Sequence, residues 1–241
     1  MADPRAIAIV PALNEEGAIG RVIDELRAFD STLEIVVIDD GSVDRTTDVA
    51  RKHGAHVLKL PFNLGIGGSV QTGFRYAYEN GFELVVRVDG DGQHDPAQLG
   101  AVVDPVVRGD VDIAVGSRYL ERRDGYRSSA TRRVGIRLLA GTVSALTGQR
   151  ITDPTSGFQA LNRKAITLFA ADYPHDYPEV EALVMVIRHR LRLKEVPVAM
   201  RPRTTGRSSI RALSSVYYMI KVLLALFVGS FRRNVVPLEE K

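Results

Sequence analysis

The 241-residue sequence contains no cysteine and no tryptophan, and only 7% of its residues are aromatic. Without cysteine, the chain cannot have a disulfide framework, a thiolate zinc site, an iron–sulfur cluster or a cysteine nucleophile. The basic segments are not interleaved with stacking aromatic side chains, which argues against a nucleic-acid-binding protein. With 45% hydrophobic and 25% charged residues, the composition is typical of a globular chain and excludes a disordered one.

Two apolar stretches near the ends of the chain bear on its location. Residues 6–10 are too short for the core of a signal peptide and lack a small-residue cleavage site, so we interpret them as a strand and expect a cytoplasmic protein. Leu213–Phe231 is apolar almost all round, but its central Lys221 disfavours crossing a membrane. This stretch predicts a helix that lies in the membrane interface, packs on the protein or forms a homodimer.

Charge is distributed unequally along the chain, although the formal net charge is only +3. Acidic residues outnumber basic ones in residues 1–112, and the reverse holds for residues 113–241. The acidic half could hold a cation, and the basic half could face phosphate or an anionic membrane surface. No linker or repeat separates the halves, so we predict one domain over residues 1–211 and an apolar helix with a basic tail over residues 212–241.

The first half of the chain alternates apolar runs rich in Ile and Val with amphipathic stretches. These runs show little polar alternation, as expected for parallel strands that are covered on both faces. The predicted strands are Ile7–Val10, Glu34–Ile38, Val57–Leu60, Leu84–Val88, Ile113–Val115 and, further on, Lys194–Ala199. The predicted helices are Glu16–Phe29, Asp44–Lys52, Ile66–Asn80, Pro96–Arg108, Ala130–Leu146 and Glu179–Arg190. The predicted fold class is therefore α/β, a mostly parallel sheet flanked by helices, with ligands at the carboxyl ends of the strands.

A carboxylate-rich motif, Val88-Asp-Gly-Asp-Gly-Gln-His94, comes at the end of the fourth predicted strand. Asp89 and Asp91 are separated by one residue, so both side chains can reach one point through a bend that the glycines permit. Oxygen ligands of this kind suit Mg²⁺ or Mn²⁺ that is shared with substrate phosphates. By itself, an Asp-x-Asp sequence is more often a simple turn.

The other predicted strands of this half also end in polar motifs. The motifs are Val10-Pro-Ala-Leu-Asn-Glu-Glu16, Ile38-Asp-Asp-Gly-Ser-Val-Asp44 and Asn63-Leu-Gly-Ile-Gly-Gly68. A carboxylate after the second strand can accept a hydrogen bond from a ribose or a base, and a glycine-rich helix start can offer backbone N–H groups to an anion. Each motif alone could be helix capping, but together at one sheet edge they predict a nucleotide pocket.

Taken in order, these motifs resemble those of the family 2 glycosyltransferases of GT-A fold, and in particular the dolichyl- and polyprenyl-phosphate mannose synthases. The resemblance extends through Gly116-Ser-Arg-Tyr119 and Asp153-Pro-Thr-Ser-Gly-Phe158, and so covers nearly the whole chain. It implies an inverting, metal-dependent transfer of a hexose from a nucleoside diphosphate sugar to a polyprenyl phosphate. GDP-mannose and UDP-glucose are the leading donors that it implies, and Mg²⁺ or Mn²⁺ is the implied cofactor.

The resemblance also assigns roles to individual residues. Those implied in nucleotide-sugar binding are Pro11, Leu13, Glu15, Ile38, Asp40, Asn63, Asp89 and Gly90. Those implied in metal binding are Asp91 and Gln93, and the candidates for catalysis are Asp91, Asp153 and Arg118. Asp153 could be a base for a hydroxyl acceptor or a hydrogen-bond acceptor that orients its surroundings. Of two acidic residues on one helical turn, Glu181 matches the family better than Glu179, and His94 could touch substrate or cap a helix.

Arginines of the basic half are the candidates for binding an acceptor phosphate. Arg118 matches a family residue that meets phosphate, and Arg132 and Arg133 begin a predicted helix whose dipole favours an anion. A phosphate monoester has a second pKa of about 6 and is already ionised at neutral pH, so it needs cations to place it and no base. The chain departs from the dolichol branch at Gly206-Arg-Ser-Ser209, where that branch has Gly-x-Ser-Lys. Arg203 or Arg207 could replace the missing lysine.

Three functions remain open on the sequence. The first is a glycosyltransferase that is peripheral on the inner face of the cell membrane and uses a polyprenyl phosphate. The second is a soluble glycosyltransferase that acts on a hydroxyl of a small molecule or protein, with Asp153 or Glu181 as base. The third is a nucleotide-binding module without turnover.

Overall fold

A computed structural model describes residues 4–121 and 130–202 together with positions 221, 222 and 224, and describes 130–132 by their backbone alone. Within these residues, seven strands form one sheet in the order β3-β2-β1-β4-β6-β5-β7. The strands are β1 (Ala6–Ala12), β2 (Glu34–Asp39), β3 (His56–Lys59), β4 (Leu84–Arg87), β5 (Ile113–Ser117), β6 (Gln159–Asn162) and β7 (Leu193–Pro197). Neighbouring strands are parallel except that β6 is antiparallel to both β4 and β5.

Helices cover both faces of this sheet, as the continuous apolar runs require. Ile7 and Ile9 of β1 belong to one buried cluster with α3, α5, α6 and α7, whereas Ala8 and Val10 belong to another with α1, α2 and α4. Successive side chains of a strand point to opposite faces, so both clusters are filled from the same strand. The helices are α1 (Ile19–Phe29), α2 (Thr46–Lys52), α3 (Gly65–Glu79), α4 (Leu99–Val107), α5 (Ala130–Thr147), α6 (Arg163–Ala171) and α7 (Pro178–Arg188).

The strand register brings the polar motifs together at one edge of the sheet. Ala12 of β1 is paired with Asp39 of β2. Beyond the last pair of β1 and β4, the Gly90 N–H donates to the Pro11 carbonyl at 3.1 Å, so the motif after β4 lies beside the one after β1. The motifs that are separated by up to 80 residues in sequence therefore line one side of the molecule.

The prediction of a mostly parallel α/β sheet flanked by helices is confirmed. The predicted strands agree with those of the structure to within about two residues at most ends, as for β3, which begins and ends one residue earlier than expected. Strand β6 and helix α6 were not predicted from the sequence. The four residues of β6, Gln-Ala-Leu-Asn, include no β-branched or aromatic side chain, so the local preference for a strand is weak. Strand β6 is stabilised instead by its pairing with β4 on one side and β5 on the other.

Most of the predicted C-terminal helix, Leu213–Phe231, lies outside the described residues. Of the positions that are described, Val222 is fully buried in the cluster that includes α5 and α7, and Leu224 is exposed. No helix in the described part of the chain is long and apolar enough to cross a membrane. The division of the chain at residue 212 stays a prediction.

Candidate active site

The loops that follow β1 and β2 are joined by hydrogen bonds between their own motif residues. The Ser42 hydroxyl accepts from the Asn14 N–H at 2.9 Å, and the Asn14 side-chain oxygen accepts from the Val43 N–H at 3.0 Å. The Thr46 hydroxyl accepts from the N–H of Glu15 at 2.8 Å. Asn14 adopts a left-handed backbone with φ of 56°, which asparagine tolerates better than most residues. These bonds hold the backbone of residues 11–15 in a fixed position beside β2.

The two carboxylates after β2 have different surroundings. Asp39 is fully buried and accepts from the Ser42 N–H at 2.8 Å and from the Thr47 hydroxyl. Asp40 accepts from the Leu64 N–H at 2.7 Å, and so ties β2 to the start of α3. Burial raises the pKa of Asp40, and the hydrogen bonds from the backbone at residues 64 and 65 oppose that shift. Asp39 is thus structural, whereas Asp40 lies where the two loops meet.

The glycine-rich start of α3 is bound by the protein's own side chains. The N–H groups of residues 64 and 65 are bonded to side-chain oxygens of Asp40 and Asn63, at 2.7 and 2.8 Å. A Cβ on Gly67 would lie 2.4 Å from the carbonyl oxygen of Pro174, so this glycine permits close packing against the segment after α6. The first two amides of this segment are therefore bonded within the protein, and the expectation that the helix start offers N–H groups to an anion stays a prediction.

Asp89, at the end of β4, lies between a buried arginine and a buried histidine. The Arg87 Nη2 atom is 3.5 Å from Asp89 Oδ1 and 2.6 Å from Glu179 Oε1. The His94 Nδ1 atom accepts from the Asp89 N–H at 3.0 Å, and Nε2 is 3.8 Å from Asp89 Oδ2. Because Nδ1 accepts, the proton of the neutral ring is on Nε2 and faces Asp89. Burial lowers the pKa of His94, which favours this neutral form.

Asp91 and Gln93 form a tight turn next to Asp89. Asp91 Oδ1 accepts from the Gln93 N–H at 3.0 Å, and Gly92 between them has φ of 73°. Both side chains are partly exposed and present hard oxygen donors, which are the ligands that Mg²⁺ and Mn²⁺ prefer. Among residues 4–121 and 130–202, no group of three or more acidic or histidine side chains could hold a metal by itself. The donor set therefore fits a cation that substrate phosphates and water help to bind.

Asp153 and Arg118 bind each other. The Arg118 Nε and Nη2 atoms donate to the two carboxylate oxygens of Asp153 at 2.6 and 2.7 Å, and the Arg118 backbone N–H is 3.2 Å from Oδ2. Asp153 is fully buried, and the Arg118 side chain is 14% exposed. Burial opposes the charged form of Arg118, but the hydrogen bonds and charge of Asp153 outweigh it and raise the arginine pKa. This geometry fits Asp153 as a residue that orients Arg118 and argues against Asp153 as a base.

The loop that contains Asp153 is fixed at both ends. Glu195 of β7 accepts from the backbone N–H groups of residues 152 and 153, each at 2.8 Å. At the other end, a Cβ on Gly157 would lie 3.0 Å from Arg87 Nη2 and 3.0 Å from each carboxylate oxygen of Asp89. The loop therefore spans from β7 to the end of β4.

The segment after β7 runs along the β4 motif. The Arg201 N–H donates to the Gln93 carbonyl at 2.9 Å, and its guanidinium binds Glu25 and Asp95, each at 2.7 Å. The basic segment that follows thus begins next to the candidate metal ligands. Its Arg203 and Arg207 lie outside the described residues. So does the side chain of Arg132, whereas Arg133 is half-buried at the start of α5.

Several site residues were not predicted from the sequence. They are Arg87, Glu195, Arg201 and Tyr173, whose hydroxyl accepts from Arg87 Nη1 at 3.1 Å. Glu179, the less favoured of the two acidic residues of α7, binds Arg87, whereas Glu181 accepts from the Tyr177 N–H at the start of its own helix. Arg87 carried a signal that could have been used: it is a charged residue within the apolar run Leu-Val-Val-Arg-Val.

The sequence model named Glycosyl transferase family 2 matches residues 7–169 of the chain. This match covers more than half of the chain, includes four of the strand-end motifs and ends within α6. The chain belongs to this family, and the protein is a glycosyltransferase.

Two characterised relatives and one solved structure indicate the range of similar proteins. The UDP-N-acetylglucosamine–dolichyl-phosphate N-acetylglucosaminyltransferase of Methanococcus voltae is 29% identical over 82% of this chain and 86% of its own. The polyprenol monophosphomannose synthase of Mycolicibacterium smegmatis is 28% identical over 90% and 85%, respectively. Glucosyl-3-phosphoglycerate synthase of Mycobacterium tuberculosis was crystallised with Mn²⁺, UDP and glucosyl-3-phosphoglycerate. The match to it has a TM-score of 0.73 at 21% identity and covers 98% of this chain and 82% of that one. That last likeness establishes the GT-A fold.

Proposed function

We propose that the protein transfers a hexose from a nucleoside diphosphate sugar to a polyprenyl phosphate. The observation that carries this proposal is the pairing of Asp153 with Arg118. An alcohol acceptor needs a base. In the described part of the site, Asp153 and Glu179 are each bound to an arginine, and Glu181 accepts from the Tyr177 N–H. An ionised phosphate acceptor needs only cations to place it.

The donor site in this proposal is the edge formed by the ends of β1, β2 and β4. The nucleotide would lie along the residues held by the first two loops, and the sugar would contact Asp89 and Gly90. The residues proposed for the nucleotide are Pro11, Leu13, Glu15, Ile38, Asp40 and Asn63. The M. voltae and M. smegmatis relatives are named for N-acetylglucosamine and mannose, so the donor sugar has to be determined by experiment.

In this proposal Asp91 and Gln93 bind Mg²⁺ or Mn²⁺. A bound divalent cation would supply positive charge for the phosphate that becomes the leaving group. Arg118 is oriented by Asp153 and presents its guanidinium beside the donor. Asp91 would position the diphosphate through the cation, which is why we place it among the catalytic residues.

The acceptor phosphate is proposed to bind Arg118, Arg132 and Arg133. The α5 helix that contains the last two has exposed apolar side chains along its length, since Val134 is 65% exposed, Leu138 56% and Leu146 47%. Apolar side chains beside arginines are suited to the surface of an anionic membrane, where a polyprenyl phosphate is found. These features support a peripheral membrane protein, and we propose that it lies on the inner face of the cell membrane.

A donor and acceptor panel tests this function. The purified chain would be incubated with Mn²⁺ and UDP- or GDP-hexoses, with and without undecaprenyl phosphate, while nucleotide release and glycolipid are both measured. We expect release that depends on the lipid phosphate. Release that instead follows phosphoglyceric acid or another hydroxyl acceptor would identify the protein as a soluble transferase. Nucleotide binding without any release would indicate a module without turnover.

A further inference from the structure

Arg87 is a charged residue in a place where charge is expensive. Its side chain is only 1% exposed, although it ends the otherwise apolar strand β4. Its Nη1 atom donates to the Tyr173 hydroxyl at 3.1 Å, and Nη2 donates to Glu179 at 2.6 Å. A buried guanidinium is tolerated only when charged and polar neighbours compensate its lost hydration. These partners come from the segment after α6 and from α7, so three separate parts of the chain meet around one arginine.

The two carboxylates near Arg87 are held differently. Glu179 makes the close ion pair at 2.6 Å, whereas the nearest oxygen of Asp89 is 3.5 Å from the same nitrogen, beyond an ideal charge-assisted hydrogen bond. The Asp89 side chain keeps 33% of its surface exposed. Glu179 thus takes the short contact and prevents the arginine from drawing Asp89 into a closed pair.

We infer that Arg87 is a positioning residue for Asp89: its buried guanidinium, balanced by Glu179, orients the Asp89 carboxylate toward the sugar of the donor. This inference rests on the proposed function in that it takes the donor to be a nucleotide sugar. Two further contacts restrict the same carboxylate. The His94 ring lies on one side, and the backbone at Gly157 lies on another, where even a Cβ would come within 3.0 Å. In this inference, the exposed third of the Asp89 side chain is the part that faces the donor.

The test compares the affinity for a nucleotide sugar with that for the matching nucleoside diphosphate, by calorimetry with Mn²⁺. In Arg87→Met we expect the nucleotide-sugar affinity to fall by about ten- to hundredfold, the size of a lost hydrogen bond to a charged group, with the diphosphate affinity changed by less than about threefold. Arg87→Lys, which keeps the charge, should recover part of the loss. Arg192→Met is the matched control, because Arg192 pairs with Asp112 at the opposite end of β5.

The double variant Arg87→Met/Glu179→Gln separates positioning from folding. It removes both members of the close ion pair, so it should be more stable than Arg87→Met alone, in which Glu179 has lost its partner. The preference for the nucleotide sugar should nevertheless stay lost. If the double variant recovered stability and sugar preference together, Arg87 would be structural only, and the inference would be overturned. The same conclusion would follow from an unchanged preference in Arg87→Met.

A variant at Asp89 distinguishes this inference from the proposed function. If Asp89→Asn changed the affinities for the nucleotide sugar and for the diphosphate by the same factor, Asp89 would not hold the sugar, which overturns the inference. A clear sugar preference without turnover on a lipid phosphate would contradict the proposed acceptor. In that case the variants at Arg87 would still decide whether this arginine positions Asp89.

Discussion

The two sides of the sheet edge are stabilised in different ways. On the side of β1, β2 and β3, short polar side chains bond to the backbone of the adjacent loop, as Asn14 does with residue 43 and Asp40 with residue 64. On the side of β4, β5 and β7, charged side chains pair across the fold, as Arg118 does with Asp153. The hydrogen bonds on the first side hold the loops in position. The ion pairs on the second side concentrate charge near the proposed reacting groups. We therefore expect substitutions on the second side to affect turnover most, and those on the first to affect stability and nucleotide affinity.

The largest effect should come from Asp91→Asn. Loss of one carboxylate from a site that also depends on phosphate oxygens should lower metal-dependent turnover by about a hundredfold or more, while the melting temperature stays within a few degrees. Nucleotide release at saturating Mn²⁺ is the measurement. Asp48→Asn, at an exposed position on α2, is the control. Full activity in the Asp91 variant would remove this residue from the mechanism.

Gly157→Ala should have the next largest effect. Its Cβ would be placed 3.0 Å from Arg87 and from the Asp89 carboxylate, neither of which can move easily. Since overpacking a rigid site typically costs about 1–3 kcal/mol, we expect both a lower melting temperature and at least tenfold lower turnover. Gly100→Ala, where a Cβ meets nothing within 4 Å, is the matched control. Equal behaviour of the two variants would show that the loop at Gly157 adapts freely.

Glu195→Gln tests a charged contact on the side of β4, β5 and β7. An amide can accept at only one of its two terminal atoms, so one of the backbone N–H groups at 152 and 153 loses its partner. We expect a loss of about 1–3 kcal/mol in stability and a fall in kcat that exceeds any change in the donor KM. Steady-state kinetics at varied donor concentration would measure kcat and the donor KM separately. A change in KM alone would place Glu195 on the donor side.

A substitution on the side of β1, β2 and β3 should be milder. Ser42→Ala removes the acceptor for the Asn14 N–H and should reduce stability by about 1 kcal/mol. The nucleotide affinity should fall by a few fold, because the β1 loop is less firmly held, with little change in kcat. Chemical denaturation and nucleoside diphosphate titration measure the two quantities. A larger loss in kcat than in affinity would contradict the division between the two sides.

The smallest effect on activity is expected for Asp112, which is charged but lies far from the motifs. Burial would raise the pKa of Asp112, but hydrogen bonds from Arg192 and Asn162 outweigh it and lower the pKa to about 2. Because the pKa of Asp112 is lower in the folded than in the unfolded chain, the ionised carboxylate stabilises the fold at any pH above its unfolded pKa. This contribution is lost as the pH falls toward the folded pKa of about 2. Asp112→Asn should therefore be less stable than wild type at neutral pH, and the difference should shrink in acid. Melting curves of both proteins between neutral pH and pH 2 test this prediction. A difference in melting temperature that stays constant with pH would contradict the lowered pKa of Asp112.

Sequence reasoning succeeded where the signal is local. The continuous apolar runs of β1, β2, β4 and β5 predicted buried parallel strands because both faces of each strand are covered. The motif order predicted the family, since each motif directly follows a strand. Roles for Arg118 and Asp153 were inferred one residue at a time, and their mutual pairing was not foreseen, because 35 residues separate them. The antiparallel strand β6 was missed for a similar reason, because its partners rather than its own residues stabilise it.

The sequence by itself determined that this is an α/β glycosyltransferase with carboxylates and polar loops at one sheet edge, because hydrophobic patterning and motif order are properties of neighbouring residues. Only the tertiary structure decided which charges meet. It paired Asp153 with Arg118, brought Glu179 rather than Glu181 to Arg87, and bonded two amides at the start of α3 to the protein's own side chains. Buried charges must be compensated by whatever the fold brings within reach, and that proximity depends on strand order and helix packing, which local sequence does not encode.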